Sequence, residues 1–199
     1  MTYRKFRVIK PEIRVLGVDD GVFIPHTTGL VDVVGVVYRG GYWLDGVMRT
    51  KVEVDGMDAT EKIASMILNS PHYEQIRVVM LNGVTFAGFN IVDIKELYRR
   101  LNLPIIVVTR EKPNFEDIRK ALTKLPNFEE RWRAIKNAGE PLEIKIEGGR
   151  GEGGSIYIQI AGISKDDAEK IVRETSTRSN IPEALRVAHI IASGIAEIK

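Results

Sequence analysis

Ile13-Arg14-Val15-Leu16-Gly17-Val18-Asp19-Asp20-Gly21 is the stretch that decides how the rest of the chain is read. Ile13 to Val18 is short and almost continuously apolar, bounded by Pro11 on one side and by two acids and a glycine on the other. That is the pattern of a strand buried on both faces, with Asp19 and Asp20 at its carboxyl end. Working outward, Leu30 to Tyr38 is a second β-rich run, and Gly40-Gly41 separates it from Tyr42-Trp43-Leu44. The glycine pair supplies the positive φ of a tight hairpin, so the second and third strands are expected to run antiparallel. From Met48 to Val54 the third strand alternates, with Met48, Thr50, Val52 and Val54 on one face and Arg49, Lys51 and Glu53 on the other, as beside a sheet edge.

Asp58 followed by Glu61 reads as a capping pair, and Ile63, Met66 and Ile67 give a helical apolar face that ends at Pro71. Ile76 to Leu81 is a buried-type strand ending in Asn82-Gly83. A loop through Phe86-Ala87-Gly88-Phe89 leads to a helix begun by Asn90, with Ile94, Leu97, Tyr98 and Leu101 facing inward. Pro104 to Thr109 makes the fifth strand. Three antiparallel strands, then helix, strand, helix, strand joined by right-handed crossovers, resemble the order of a ribonuclease H-like sheet: an α/β fold with a mixed five-stranded core. Asn114 to Lys124 and Asn127 to Lys136 read as charged amphipathic helices covering one sheet face through Phe115, Ile118, Leu122, Phe128, Trp132 and Ile135. Leu142 to Ile146 and Ser155 to Ile160 form an added hairpin whose linker, Gly148 to Gly154, is expected to be highly mobile. Ser164 with Asp167 caps a helix through Val172, and Asn180-Ile181-Pro182-Glu183 opens a last helix to about Ile195. No internal repeat is visible, and residues 1–199 are expected to form a single domain.

Composition narrows the function classes. With 199 residues, 44% hydrophobic and 28% charged, the chain sits near the average of soluble globular domains, which excludes disorder, collagen and small disulfide scaffolds. It has no cysteine, so disulfides, thiolate zinc sites, iron-sulfur clusters and a cysteine nucleophile are excluded, and a cytoplasmic location is expected. No apolar run approaches the roughly 18 residues of a membrane span, and the N-terminus lacks a signal-peptide core. A net charge of +2 leaves nucleic-acid binding to the distribution of the cations. Gly148 to Gly154 has no Gly-Lys-Ser/Thr and follows a late strand, which argues against a nucleotide phosphate loop, and there is no Gly-x-Ser-x-Gly elbow.

If the first and fourth strands are parallel neighbours, Asp19 and Asn82 meet at the carboxyl edge, where sites form in open α/β sheets. Oxygen ligands converging there suit Mg²⁺ or Mn²⁺, ions that activate water in phosphodiester hydrolysis. Asp19 reads equally as an acid capping the turn with Asp20 and Gly21. The spacing of Leu185, Ala188 and Ala192 around His189 favours a core histidine. The functional alternative is that the last helix crosses the carboxyl edge and places the imidazole beside the acids. His26 is a weaker candidate, and His72 belongs to a helix-terminating turn. Asp55 and Asp58 flank Gly56 where the third strand leaves the sheet, and either could complete a carboxylate cluster, although capping already accounts for Asp58. Asp93 fits the first turn of the second helix. Arg173, Arg178 and Arg186, interleaved with Thr175, Ser176, Thr177 and Ser179, offer cations and hydroxyls suited to phosphate, or else helix salt bridges on a solvated loop.

Four stretches, Val15 to Gly21, Asn82-Gly83-Val84-Thr85-Phe86-Ala87-Gly88-Phe89-Asn90, Pro104 to Arg110 and Arg173 to Ala192, resemble a largely archaeal family labelled endonuclease dU. That family is similar to endonuclease V, a ribonuclease H-like enzyme that nicks nucleic acid near deaminated bases with Mg²⁺. The run Ile181-Pro182-Glu183-Ala184-Leu185-Arg186-Val187-Ala188-His189 is similar to its Pro-Glu-Pro-x-Arg-x-Ala-Asp pattern. By that resemblance Asp19 matches the first-strand metal aspartate, while Asn82-Gly83 falls where endonuclease V has Asp-Gly, so an amide replaces an acid. The third acid and the strand-separating wedge of endonuclease V have no clear counterpart. The resemblance implies an endonuclease acting on DNA rather than RNA, at uracil or another deaminated base. Mg²⁺ or Mn²⁺ would be held by Asp19 and Asn82 with Asp20, Asp55 or Asp58, His189 would assist proton transfer, and Arg173, Thr177, Arg178 and Arg186 would contact phosphate. The alternative is a non-catalytic nucleic-acid-binding module that has lost its full metal cluster.

Overall fold

The computed structural model describes residues 6–25, 27–146 and 154–196. Its elements run β1 (Arg14–Asp20), β2 (Leu30–Arg39), β3 (Trp43–Glu53), α1 (Ala59–Leu68), β4 (Val78–Asn82), β5 (Thr85–Phe86), β6 (Asn90–Ile91), α2 (Ile94–Leu101), β7 (Ile105–Thr109), α3 (Phe115–Leu122), α4 (Phe128–Ala138), β8 (Leu142–Ile146), β9 (Gly154–Ala161), α5 (Lys165–Thr175) and α6 (Glu183–Ile195). The main sheet has seven strands in the order β3-β2-β1-β4-β7-β9-β8. β1 lies antiparallel to β2 and parallel to β4, and β4 lies parallel to β7. These five strands form the ribonuclease H-like core. The added hairpin does not stand apart: β9 pairs antiparallel with β7, so β8 and β9 extend the sheet by two strands.

The central strands are buried on both faces, as their unbroken apolar runs require. Leu16, Val18, Val79, Leu81 and Val107 pack with α1 and α2 in one cluster, through Ile63, Ile67, Ile94 and Leu97. Val15, Val78, Met80, Ile106 and Val108 pack on the other face with α5 and the start of α6, through Ile171, Val172, Ala184 and Leu185. The result is three layers, helix on sheet on helix.

Local expectations are corrected at several points. Asn90 does not begin a helix; it lies in β6, and the cap of α2 is Asp93, whose side chain accepts from Lys95 N and Glu96 N. Asp58 stands at the N-cap position of α1 without a side-chain cap bond. Its Oδ1 accepts from Glu53 N at 3.2 Å and Asn90 Nδ2 at 2.6 Å, while Asn90 Oδ1 accepts from Ala59 N at 2.9 Å. The buried amide of Asn90 thus takes over the capping role, because it can donate to Asp58 and accept from the helix at once. α3 and α4 do not lie directly on the sheet; Leu122, Ala134 and Ile135 pack on Ile91 of β6 in an outer layer over α2, and only the end of α4, at Ala138, reaches the sheet cluster. His72 does sit at a turn, preceding a 3-10 turn at Tyr73–Gln75. The expected mobility of the Gly148 to Gly154 linker falls almost wholly on residues outside those described, as does His26. Among the described residues no helix is long and apolar enough to cross a membrane.

Candidate active site

The carboxyl end of β1 carries the site because α6 lies along that strand. Gly17, Asp19 and Gly21 all face α6. A Cβ on Gly17 would overlap the backbone of Ala184 and Leu185, and one on Gly21 would sit 2.9 Å from the Ala192 carbonyl oxygen. From Gly17 to Gly21 is about 13 Å of strand, and from Ala184 to Ala192 is about 12 Å of helix. The two glycines therefore let the helix backbone touch the strand at both ends of a matched span. Ala184, Ala188 and Ala192, all buried, are the helix's own small-residue stripe. His189 falls between the two contacts, opposite Asp19.

Asp19 is 2% exposed. Its Oδ1 accepts from the Asp20 N–H at 3.0 Å, and its Oδ2 accepts from Asn82 Nδ2 at 3.0 Å. Nδ1 of His189 lies 2.9 Å from the same Oδ2, and the His189 side chain is 62% exposed. One strand end, its parallel neighbour and the last helix thus bring Asp19, Asn82 and His189 together. Burial pushes the Asp19 carboxyl above its ordinary range, against the lowering pull of Asn82, the Asp20 N–H and His189. Asp20 points to the other face of the strand, where its Oδ2 accepts from Ala87 N at 2.6 Å. Burial pushes Asp20 up to about 6, its bond from Ala87 opposing the rise and the charge of Asp19 adding to it.

Asp55 and Asp58 are not brought to Asp19. Asp55 holds the Phe89 N–H at 2.8 Å from a positive φ of 51°, and Asp58 is spent on Glu53 and Asn90. Among the described residues no three His, Asp or Glu side chains converge as a ready-made metal cluster. The expected phosphate-contacting group is likewise divided. Arg173 pairs with Glu169 at 2.8 Å, Arg186 with Glu183 at 2.7 Å, and the Thr177 hydroxyl donates to the Gly41 carbonyl at 2.8 Å, tying the loop before α6 to the β2–β3 hairpin. Their donors are occupied within the fold. Arg178 is exposed.

The most consequential residue the sequence reading passed over is Arg131, only 1% exposed. Its guanidinium donates to four backbone carbonyls: Pro126 at 2.9 Å, Gly56 at 2.9 Å, Asp55 at 2.6 Å, and Phe89. Burial lowers its pKa from the ordinary range while the charge of Asp55 opposes. It clamps the 55–56 turn to the Phe86–Phe89 loop, whose Ala87 N–H engages Asp20. On sequence it looks like one more cation in Glu129-Glu130-Arg131-Trp132-Arg133. Its neighbours Trp132 and Ile135 on the buried side were the only available hint.

The endonuclease dU family model matches residues 11–196. A UPF0215 protein of Methanosarcina acetivorans is 57% identical over 187 residues, covering 94% of this chain and 92% of that relative. Among solved structures, a protein of unknown function from Archaeoglobus fulgidus is similar at TM-score 0.83 and 39% identity, over 93% of this chain and 99% of that one. Endonuclease V of Ciona intestinalis, solved with a 24mer DNA containing an inosine followed by a ribo-adenosine, is similar at TM-score 0.56 and 18% identity, over 88% of this chain and 82% of that one. The endonuclease V likeness is one of fold, and it agrees with the strand order and the carboxyl-edge site described above. With the family model spanning nearly every described element, the chain belongs to the endonuclease dU family.

Proposed function

We propose that the chain, acting as one domain, is a divalent-metal-dependent endonuclease that hydrolyses phosphodiester bonds in DNA at uracil or another deaminated base. The observation that carries this reading is the meeting of Asp19, Asn82 and His189 at the carboxyl edge of two parallel strands. Family membership and the DNA-bound endonuclease V of the same fold support a nucleic-acid substrate.

The donor set fits Mg²⁺ or Mn²⁺. Asp19 and Asp20 are adjacent desolvated carboxyls that raise each other's proton affinity, and His189 is the one basic group bonded to either of them among the described residues. Hard oxygen donors under mutual repulsion are what such a cation relieves. Asp19 and Asp20 would hold it, with the amide oxygen of Asn82 as a neutral ligand once that amide is reversed from the orientation in which its nitrogen meets Asp19. A bound Mg²⁺ or Mn²⁺ supplies a hydroxide nucleophile near neutral pH and offsets charge on the phosphate. The chain's own groups do the rest. Asp19 takes the Nδ1–H of His189, which fixes the tautomer and turns Nε2 of the exposed ring outward, where it accepts a proton from water or returns one to the leaving oxygen. Arg178 is the cation free to meet phosphate. The compartment we assign is the cytoplasm, where a chain without cysteine has no need of an oxidising environment.

A second reading, a nucleic-acid-binding module without catalysis, is favoured by one observation: Asn82 leaves the edge one carboxylate short, and no three acids or histidines converge. Nicking of fluorescent oligonucleotides, single- and double-stranded, plain or carrying uracil or hypoxanthine, separates the two. The nuclease reading expects cleavage that requires both metal and Asp19 and that is lost in Asp19→Ala. Salt-sensitive binding without cleavage under any condition would establish the binding module instead.

A further inference from the structure

Beside the candidate active site, the loop after β1, the start of β2 and the end of β3 enclose a cavity of about 430 Å³. Its walls are apolar: Val22, Ile24 and Leu30 are exposed side chains with no core to join, and Phe23 and Val54 form its inner side. One wall residue is different. Asp32 interrupts the run Leu30-Val31-Asp32-Val33-Val34, its side chain is 13% exposed, and its Oδ1 is buried without a hydrogen-bond partner among the described residues. Its other oxygen, Oδ2, lies 3.8 Å from Lys51 Nζ, which also lines the cavity.

Strand register places this group relative to Asp19. Val34 stands opposite Asp19, and Asp32, two residues on, shares its face. Gly21 N donates to Asp32 O at 2.8 Å. Asp19 and Asp32 are therefore diagonal neighbours across β1 and β2, about 7–8 Å apart. That separation suits a nucleotide with its base at one carboxylate and its sugar-phosphate at the other.

A buried acceptor left unpaired is costly unless something fills it. The cavity offers flat apolar walls for a ring, one carboxylate oxygen as acceptor and one ammonium as donor. We infer that this cavity is a nucleobase pocket in which Asp32 and Lys51 read the lactam edge, ring N–H beside C=O, that deamination creates in uracil and hypoxanthine. The inference rests on the nuclease reading for its substrate, and it adds the residues that choose the base. A lactam N–H donates to Asp32 Oδ1 while the neighbouring carbonyl accepts from Lys51 Nζ. In the same pose cytosine or adenine sets a ring-nitrogen lone pair against the carboxylate and an amino group against the ammonium. A base turned out of its stack and read on its Watson–Crick edge between apolar side chains is how enzymes that act on bases gain selectivity. A two-point contact of this kind is worth roughly 10- to 100-fold in discrimination.

Two measurements on the full chain test this. The first is fluorescence anisotropy in EDTA with single-stranded oligonucleotides carrying one uracil or one cytosine at the same position. Wild type is expected to bind the uracil strand about tenfold more tightly or better, and Asp32→Val and Lys51→Met are expected to bring the ratio to within about twofold while leaving the cytosine strand's affinity unchanged. Lys51 is a half-exposed side chain, so its variant keeps the test valid if Asp32→Val unfolds in a thermal melt. The second is titration with 2′-deoxyuridine or 2′-deoxycytidine, followed by the backbone amide resonances of Gly21, Leu30 and Lys51. Saturable shifts with deoxyuridine alone are expected. An unchanged ratio in a folded variant, or shifts centred elsewhere, overturns the pocket. Wild type that nicks DNA without preferring uracil overturns the pocket and leaves the nuclease standing. Deoxyuridine bound at Asp32 in a chain that nicks nothing supports the pocket and refutes the nuclease.

Discussion

Replacing Asp20 with asparagine should make the protein more stable at neutral pH, and the amount can be worked from the site. Burial and the charge of Asp19 raise the Asp20 carboxyl from 3.8 to about 6. At about 1.4 kcal/mol per pH unit, the folded state holds that proton more tightly than the unfolded chain by about 3 kcal/mol. The sign follows from the raised value. The extra stability is fully present below about pH 4, is lost as pH climbs through about 6, and stays lost above. Asparagine keeps an oxygen for the Ala87 N–H but does not titrate. In metal-free buffer the stability of wild type relative to Asp20→Asn should therefore fall by about 3 kcal/mol between pH 4 and pH 7.5. For a chain of this size that is about 5–10 °C in midpoint. Thermal and urea melts of both proteins, followed by circular dichroism across that range, read the difference directly, since other groups titrate equally in both. Adding Mg²⁺ at pH 7.5 should recover stability in wild type and much less in the variant, because a cation held by Asp19 and Asp20 replaces the missing proton. Two stability profiles that stay parallel from pH 4 to 8 would refute the coupled-carboxylate account.

Gly17→Ala should cost about 3 kcal/mol in chemical denaturation, because the new methyl meets the backbone of Ala184 and Leu185 and cannot be relieved by a rotamer change; a loss under about 0.5 kcal/mol would mean that α6 is not seated as described. Arg131→Met should cost about 3–5 kcal/mol by leaving the clamped carbonyls without a donor, and Arg131→Lys should recover little of it, since an ammonium cannot span four acceptors. His189→Gln should lower the nicking rate by roughly 10²- to 10⁴-fold while shifting the unfolding midpoint by little, and equal rates would remove the imidazole from the mechanism. Arg178→Ala should weaken oligonucleotide binding and flatten its salt dependence by about one unit of slope, whereas Arg173→Ala, whose cation is already paired with Glu169, should not.

Much of this architecture is legible in the sequence because its signals are local. The apolar run ending in Asp19-Asp20-Gly21, the Gly40-Gly41 hairpin and the buried strands before Asn82 and Thr109 each declare themselves within a few residues. The order of those strands then makes β1 and β4 neighbours and brings Asp19 to Asn82. His189 was harder, since its helical neighbours suit a core histidine, and only the seating of α6 on Gly17 and Gly21 turns it toward Asp19. What stayed hidden depends on partners distant in sequence. Arg131 binds carbonyls 75 and 76 residues away, so nothing near it marks it as buried. Asn90 and Asp58 share a capping role across 32 residues. Asp32 did leave a local mark, an acid inside a valine-rich strand, yet its unpaired oxygen is visible only once the cavity around it is formed. The arginines were misjudged for the opposite reason: Arg173 and Arg186 have glutamates four and three residues earlier on the same helix, a spacing that already favours pairing over phosphate contact.

The central claim is that the edge formed by Asp19, Asn82 and His189 hydrolyses nucleic acid although an amide stands in place of an acid. Single-turnover nicking of a uracil-containing oligonucleotide, measured against Mg²⁺ concentration for wild type and Asn82→Asp, tests it most directly. The account predicts that both proteins cleave, with Asn82→Asp reaching its half-maximal rate at a lower metal concentration because a charged ligand joins Asp19. Cleavage by Asn82→Asp alone, with wild type inert at every metal concentration, would contradict it and identify the natural chain as a binding module.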